Sequence, residues 1–321
     1  NKSYQGALTM TATKTAVRRR PPLQKMARCW QLYLILLLPV LYLLIFCYYP
    51  MLGVQIAFKD FTVAKGIWGS PWVGLKHFQK FISSPQFYRV IKNTLLVSIY
   101  SLIASTPIPI VLALCVTYLR NTFFKKSVQM ITYMPYFIST VVLVGMLYQF
   151  FSTRTGVFNT LLEMMGMGRV DILTPPKNFI HLYVWSGVWQ MTGFNAIIYI
   201  SALSSVDPSL YEACTIDGAN KFQQIWFVDL PSILPTVIIL LILNCGGVLN
   251  VGFEKVFLLQ NPGNLEYSEV ISTLVYKVGL KSMIPMYSYS SAVGLFTSLI
   301  NLILLTVVNG ISRKVSETSL W

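Results

Sequence analysis

Charge is scarce in this chain. Only 11% of its 321 residues are charged and 55% are hydrophobic, whereas a soluble domain carries about 25% charged residues. The deficit gathers in windows long enough to cross a bilayer, each of about 20 mostly apolar residues. That excludes a soluble globular protein and marks an all-α polytopic membrane protein. Acid is scarcer than base, with 11 Asp and Glu against 25 Lys and Arg. The excess does not make a nucleic-acid surface, because the bases are spread over the extramembrane segments. Their one compact cluster, Arg18-Arg19-Arg20 with Lys25 and Arg28, precedes the first apolar run. Positive charge there holds a flank on the cytoplasmic side and suits contact with anionic membrane lipid.

Metal-binding and nucleotide-binding patterns are missing too. The five cysteines (Cys29, Cys47, Cys115, Cys214, Cys245) form no C-x-x-C pair and read as small packing residues. His77 and His181 lie far apart, which argues against a haem or metal centre. No G-x-x-x-x-G-K-[ST] loop occurs, and no soluble block is large enough for a nucleotide domain. The chain is therefore read as non-catalytic, with no cofactor of its own; if it moves a solute uphill on nucleotide energy, that energy has to come from another chain. No removable leader is expected, since the first apolar run is too long and lacks a small-residue cleavage site. Residues 1–9, NKSYQGALT, read unlike the MTATKTAVRRR stretch that begins at Met10 and are set aside as an upstream extension.

What is present is a series of six expected crossings, at about 30–50, 91–118, 127–151, 179–203, 232–253 and 291–309. They come after a cytoplasmic segment 1–29, make up a membrane domain 30–309, and precede a tail 310–321. Pro107 and Pro109 predict a kink in the second span, and Pro135 an interruption of the third. The overall Lys and Arg tally is nearly balanced between the two sides and decides nothing. Residues at span ends carry more weight: Arg28, Arg120, Lys125, Lys126, Arg313 and Lys314 put both termini in the cytoplasm. Lys92 beside Arg89, at the outer end of span two, disagrees.

The spans hold almost no ionisable groups, which weakens a proton-driven carrier because a coupling proton needs a titratable stop. A stand-alone carrier coupled to sodium stays open. Scarce cations within the spans likewise give no support for an acidic cargo. Neutral polar groups are present at Thr106, Thr140, Gln190, Thr192, Asn195, Ser201, Asn244, Asn250 and Asn301. For any one of them interhelical hydrogen bonding is the default role. Trp189, Asn195, Tyr199, Asn244 and Asn250 have the aromatic faces and amides that a sugar path uses. Gly246-Gly247 allows either close helix approach or a local hinge.

The longest internal connection, 204–231, is orderly. Asp207 is an N-cap with Pro208 at the first helical position. Leu210, Ala213, Cys214 and Asp217 then share a face, and Gly218 stands where a left-handed residue stops the helix. A second short helix comes next, with Phe222, Ile225 and Trp226 as its apolar stripe, and Leu230-Pro231 turns the chain into span five. On spacing alone this is equally a surface helix at the headgroups or a docking element, with Glu212 and Asp217 able to orient a partner.

The segment resembles the EAA loop of type I ATP-binding-cassette importer permeases: E-A-A, three residues, Gly, nine residues, Ile-x-Leu-Pro. Glu212, Ala213, Gly218, Leu230 and Pro231 match in register. Cys214 replaces the second alanine and Val228 the isoleucine. YYPMLGVQIAFKDF (48–61) and GIWGSPWVGLKHFQKF (66–81) are similar to carbohydrate permeases of the polygalacturonan, aldouronate and alginate oligosaccharide branch. The resemblance implies a type I permease fold with a cytoplasmic coupling helix at Glu212–Gly218. It also implies a second homologous permease, two ATPase subunits that bind ATP and Mg, and an extracytoplasmic solute-binding protein. The cargo it implies is an oligosaccharide, with alginate fragments as first expectation.

Overall fold

The computed structural model describes residues 30–316, which divide between Gly53 and Val54 into two compact units. The basic cluster, Cys29, residues 1–9 and the last residues of the tail lie outside the described residues. Among those described, the regular structure is helical, apart from an isolated antiparallel bridge between Lys59 and Trp72.

In the first unit, helix α1 (Trp30–Tyr42) carries Pro39 inside it and passes into a π-helical turn, Leu43–Tyr48. In the second unit, α2 (Gln86–Ser105) and α3 (Pro107–Thr117) form one long apolar helix broken at Thr106. The break falls at the expected prolines: Pro107 has no N–H to donate, so it starts a new helix instead of continuing the old one. Thr106 Oγ1 donates to the Leu102 carbonyl at 2.7 Å and covers the discontinuity.

The expected third crossing takes a different course. α4 (Thr122–Tyr133) and a 3-10 turn (Met134–Phe137) lead to α5 (Thr140–Phe151), and the two arms meet at 100°. Ile138 and Ser139 are both extended, and Ser139 Oγ accepts from the Val142 N–H at 3.3 Å to start the new helix. Two consecutive extended residues re-aim the chain axis, which an interruption at Pro135 alone would not do. Gln190 Nε2 donates to the Ile138 carbonyl at 2.8 Å, occupying a backbone acceptor that the bend leaves free.

α6 (Asn178–Ser204) has 27 residues, about 40 Å of helix. α7 (Pro208–Ile216) is the short helix of the polar loop. α8 (Leu230–Gly246) begins without the turn expected at Leu230-Pro231. The chain runs helically from Lys221 to Gly246, and a π-turn, Ile225–Asp229, sends the Leu230 N–H back to the Ile225 carbonyl. That widened turn accommodates the N–H that Pro231 lacks. α8 also ends earlier than the expected residue 253. It stops at Gly246, where an added Cβ would lie 2.7 Å from the Leu305 side chain. Asn301 Oδ1 then accepts the Leu249 N–H at 3.1 Å within the irregular stretch beyond it. α9 (Phe253–Leu259) and α10 (Tyr287–Ser316) complete the major helices.

Among the described residues four helices qualify as spans by length and apolarity: Trp30–Phe58, Gln86–Thr117, Lys221–Gly246 and Tyr287–Lys314; counted as one span, the bent pair would make a fifth. The sequence expects six. α6 is long enough, but His181, Ser186, Gln190, Thr192 and Asn195 make it too polar to qualify.

Close packing joins the helices of the second unit, since lipid supplies no hydrophobic drive between them. Ala113, Leu114, Ala196, Tyr199, Leu203 and Ile233 tie α3, α6 and α8 together. Phe81, Val90, Ile271, Leu274, Tyr289 and Val293 gather helix Lys76–Ile82 and segment Ile271–Tyr276 against α2 and α10. Polar fastenings reinforce the second cluster. Arg89 donates to the Glu269 carboxylate, and Asn93 Nδ2 reaches the Glu266 and Glu269 carbonyls at 2.8 and 3.0 Å. Half of the basic pair that disagreed with the orientation rule is therefore neutralised by an acidic partner.

Candidate functional site

The polar loop is built by its caps. Asp207 Oδ1 accepts the Ser209 N–H at 2.9 Å, a bond that lowers the Asp207 pKa and starts α7. The helix stops in a Schellman turn: the Gly218 N–H reaches the Thr215 carbonyl and the Ala219 N–H the Cys214 carbonyl at 2.9 Å. Gly218 has φ +75°, a conformation that costs a residue with a Cβ far more than glycine. Asn220 and Gln223 then form a capping box, with bonds of 2.9 and 2.7 Å.

Of the residues marked for coupling, Glu212, Ala213, Asp217 and Gly218 are exposed and Cys214 is half-buried. They lie together on one short helix and its cap. Of the expected stripe of the second helix, Ile225 packs against the cluster of α3, α6 and α8, while Phe222 and Trp226 are 83% and 67% exposed. Gln224, Val228 and Asp229 are buried beside it.

Asp229 holds the loop to the helices. It is fully buried and accepts from Tyr211 on α7 at 2.5 Å and from Tyr118, just past α3, at 2.7 Å. Burial and donation to this carboxylate push the pKa of both tyrosines up. Lys221 Nζ lies 5.4 Å from the centre of the Tyr118 ring and donates to Gln224 Oε1 at 3.0 Å. Sequence reading passed over this cluster. Its one signal was an acid at 229 set among apolar residues directly before Leu230-Pro231.

A second feature lies among the long helices, where two adjoining hollows share Ser101, Ser105, Tyr183 and Gly252. The smaller, about 180 Å³, is lined by Asn244 and Asn250. The larger, about 470 Å³, is lined by Thr140, Gln190, Asn195, Glu254 and Lys255. Of the five path residues read from the sequence, three come together here. The other two do not: Tyr199 is buried in the apolar cluster of α3, α6 and α8, and Trp189 lines a separate, nearly apolar groove with Met146, Phe150 and Leu182. Thr106 and Thr192 bond the carbonyls one turn back on their own helices, and Gln190 and Asn301 hold backbone groups of neighbouring segments. Lys255 was missed because span five was drawn through residue 253, leaving the lysine on an outer connection. α8 ends at Gly246, and the short helix α9 that starts at Phe253 brings this side chain to the hollow.

No cluster of three or more His, Cys, Asp or Glu suited to a metal occurs among the described residues. The arrangement offers two adjoining polar hollows and a capped, exposed short helix.

The family described as binding-protein-dependent transport system inner membrane component matches residues 105–317. The chain is 39% identical over 304 residues to the polygalacturonan/rhamnogalacturonan transport system permease protein YteP of Bacillus subtilis (strain 168), covering 95% of this chain and 94% of that protein. Protein LplB of the same organism is 39% identical over 290 residues, 90% of this chain and 91% of its own. A chain of a bacterial ABC transporter involved in the import of the acidic polysaccharide alginate matches with TM-score 0.84 and 39% identity, over 92% of this chain and 99% of that one. A chain of a bacterial alginate ABC transporter in complex with an alginate pentasaccharide-bound periplasmic protein matches with TM-score 0.85 and 38% identity, over 94% and 100%.

Proposed function

The chain belongs to the binding-protein-dependent transport system inner membrane components, the permeases of ATP-binding-cassette importers, and from that premise we propose how it works and what it carries. It is a multi-pass inner-membrane protein of the oligosaccharide-importing branch and catalyses no reaction itself; in this family ATP is hydrolysed on separate subunits. An extracytoplasmic binding protein and a homologous second permease are its partners. The stand-alone carrier considered from the sequence gives way to this membership.

In our reading the cargo is a uronate-containing oligosaccharide of the alginate or polygalacturonan kind. What supports it is the acidic polymers named for the relatives. The fold is read as six crossings, with the bent pair as the third and polar α6 as the fourth, and both termini cytoplasmic. α7 is then the coupling helix, presenting Glu212, Ala213, Cys214, Asp217 and Gly218 to one of two ATPase subunits, which carry ATP and Mg. The carrying observation is mechanical: α7 is exposed on its outer face, yet Tyr211 on it is bonded to the fully buried Asp229. A push on such a helix is delivered to α3 and α8. ATP-driven closure of the ATPases would shift the permease pair between outward- and inward-open packings, with Asn195, Asn244 and Asn250 along the path.

The test is uptake of a uronate oligosaccharide into vesicles holding the whole complex, with and without ATP. Uptake that needs ATP and binding protein is expected. Accumulation driven by an ion gradient on the purified chain alone would overturn this reading.

A further inference from the structure

Lys255 is placed unusually for a lysine. It is 9% exposed, and buried lysines are nearly always paired with an acid. Here no carboxylate among the described residues lies within 4.0 Å of Nζ. Its ammonium donates to the Tyr183 carbonyl at 2.9 Å and sits 4.8 Å from the centre of the Tyr183 ring. An ammonium has three N–H donors; one is used, and the side chain borders the 470 Å³ hollow. Gly187 keeps this position open, since a Cβ there would come within 3.1 Å of Nζ.

The other titratable groups that line the hollow are Tyr183 on α6 and Glu254, the neighbour of Lys255 on α9. Glu254 is exposed. The remaining polar lining, Ser101, Ser105, Thr140, Gln190 and Asn195, is neutral. Hydroxyls and amides suit sugar hydroxyls; a lone ammonium among them suits an anion.

We propose that Lys255 is a carboxylate-binding point of the translocation path, engaging a uronate group of the passing oligosaccharide. The proposal rests on the permease reading and deepens it, because it gives this chain its own means of recognising acidic cargo apart from the binding protein. A single fixed cation suits transit. It holds one carboxylate at a time, and one charge-assisted contact is weak enough to be released as the helices repack.

Burial lowers the Lys255 pKa to about 8. The ammonium is therefore present at neutral pH and is lost as pH rises through about 8, while a bound carboxylate holds the proton on.

The test uses the complete transporter in vesicles with an alginate oligosaccharide. K255M should lower ATP-dependent uptake at least tenfold at matched complex levels, while binding-protein-stimulated ATP hydrolysis stays within twofold. K255R should restore most of the uptake and flatten its decline between pH 7 and 9, since guanidinium stays charged there. Should K255M fail to assemble, the wild-type and K255R pH profiles decide: identical profiles overturn the proposal. Uptake by K255M within twofold of wild type overturns the Lys255 assignment and leaves the permease reading standing. A wild-type complex that carries neutral oligosaccharides and no uronates removes the cargo reading, and this proposal with it.

Discussion

Removing the Tyr211 hydroxyl tests the attachment between coupling helix and membrane helices. In Tyr211→Phe the ring stays and one 2.5 Å bond to Asp229 is lost. Asp229 has no exposure to water, so solvent cannot replace the donor. A bond to a charged acceptor contributes roughly 1.5–3 kcal/mol, and that is the expected loss of stability. Tyr118→Phe, which removes the 2.7 Å bond, should cost about the same, again roughly 1.5–3 kcal/mol. The double variant leaves a buried carboxylate without either hydroxyl, a situation that costs about 3–5 kcal/mol or more. Because both hydroxyls serve the one carboxylate, the two losses should be coupled instead of independent. Thermal unfolding of the detergent-solubilised complex reads stability, and the ratio of sugar imported to ATP hydrolysed reads transmission. Tyr211→Phe should lower both, whereas Tyr118→Phe leaves α7 its own bond and should spare the ratio better. An unchanged melting temperature and ratio in Tyr211→Phe would refute the reasoning.

Other positions separate the coupling role from the passage. Gly218→Val puts a β-branched residue at φ +75°, at a cost of about 1–3 kcal/mol of backbone strain; hydrolysis should continue with little uptake, and normally coupled transport would count against a role for this turn. Gly218→Asn should be tolerated, because asparagine enters that region more easily. Asn244→Leu and Asn250→Leu should reduce sugar flux several-fold at equal complex levels, measured in the same vesicles, while Trp189→Leu, outside the polar hollows, should leave flux nearly unchanged.

Local chemistry made the loop readable before any coordinates. Asp207, Pro208 and Gly218 each have a conformational preference strong enough to act without tertiary help, and α7 begins and ends where those preferences put it. The proline break at Thr106 was legible for the same reason. The 100° bend was not, because Pro135 signals an interruption but not the two extended residues, Ile138 and Ser139, that re-aim the chain. Neither was the exposure of Phe222 and Trp226 on the second short helix, since spacing marks an apolar stripe but does not say which of its members, here Ile225, meets a neighbouring helix. The cavity was half legible. Polar residues in an apolar span announce themselves, which found Asn195, Asn244 and Asn250, but hydropathy cannot tell an amide lining a hollow from a Tyr199 filling a core. Lys255 lay beyond reach because its position depends on where α8 stops, and hydropathy carried the span through residue 253 instead of ending it at Gly246.

The 100° bend bears on how the protein is made. α5, with 12 residues, is about 18 Å long, well short of the roughly 30 Å of hydrocarbon. Neither arm of the bend is a self-sufficient insertion signal, and the amide that steadies the corner belongs to a helix synthesised later. Until α6 has been synthesised, the Ile138 carbonyl lacks the Gln190 donor that it has in the finished fold.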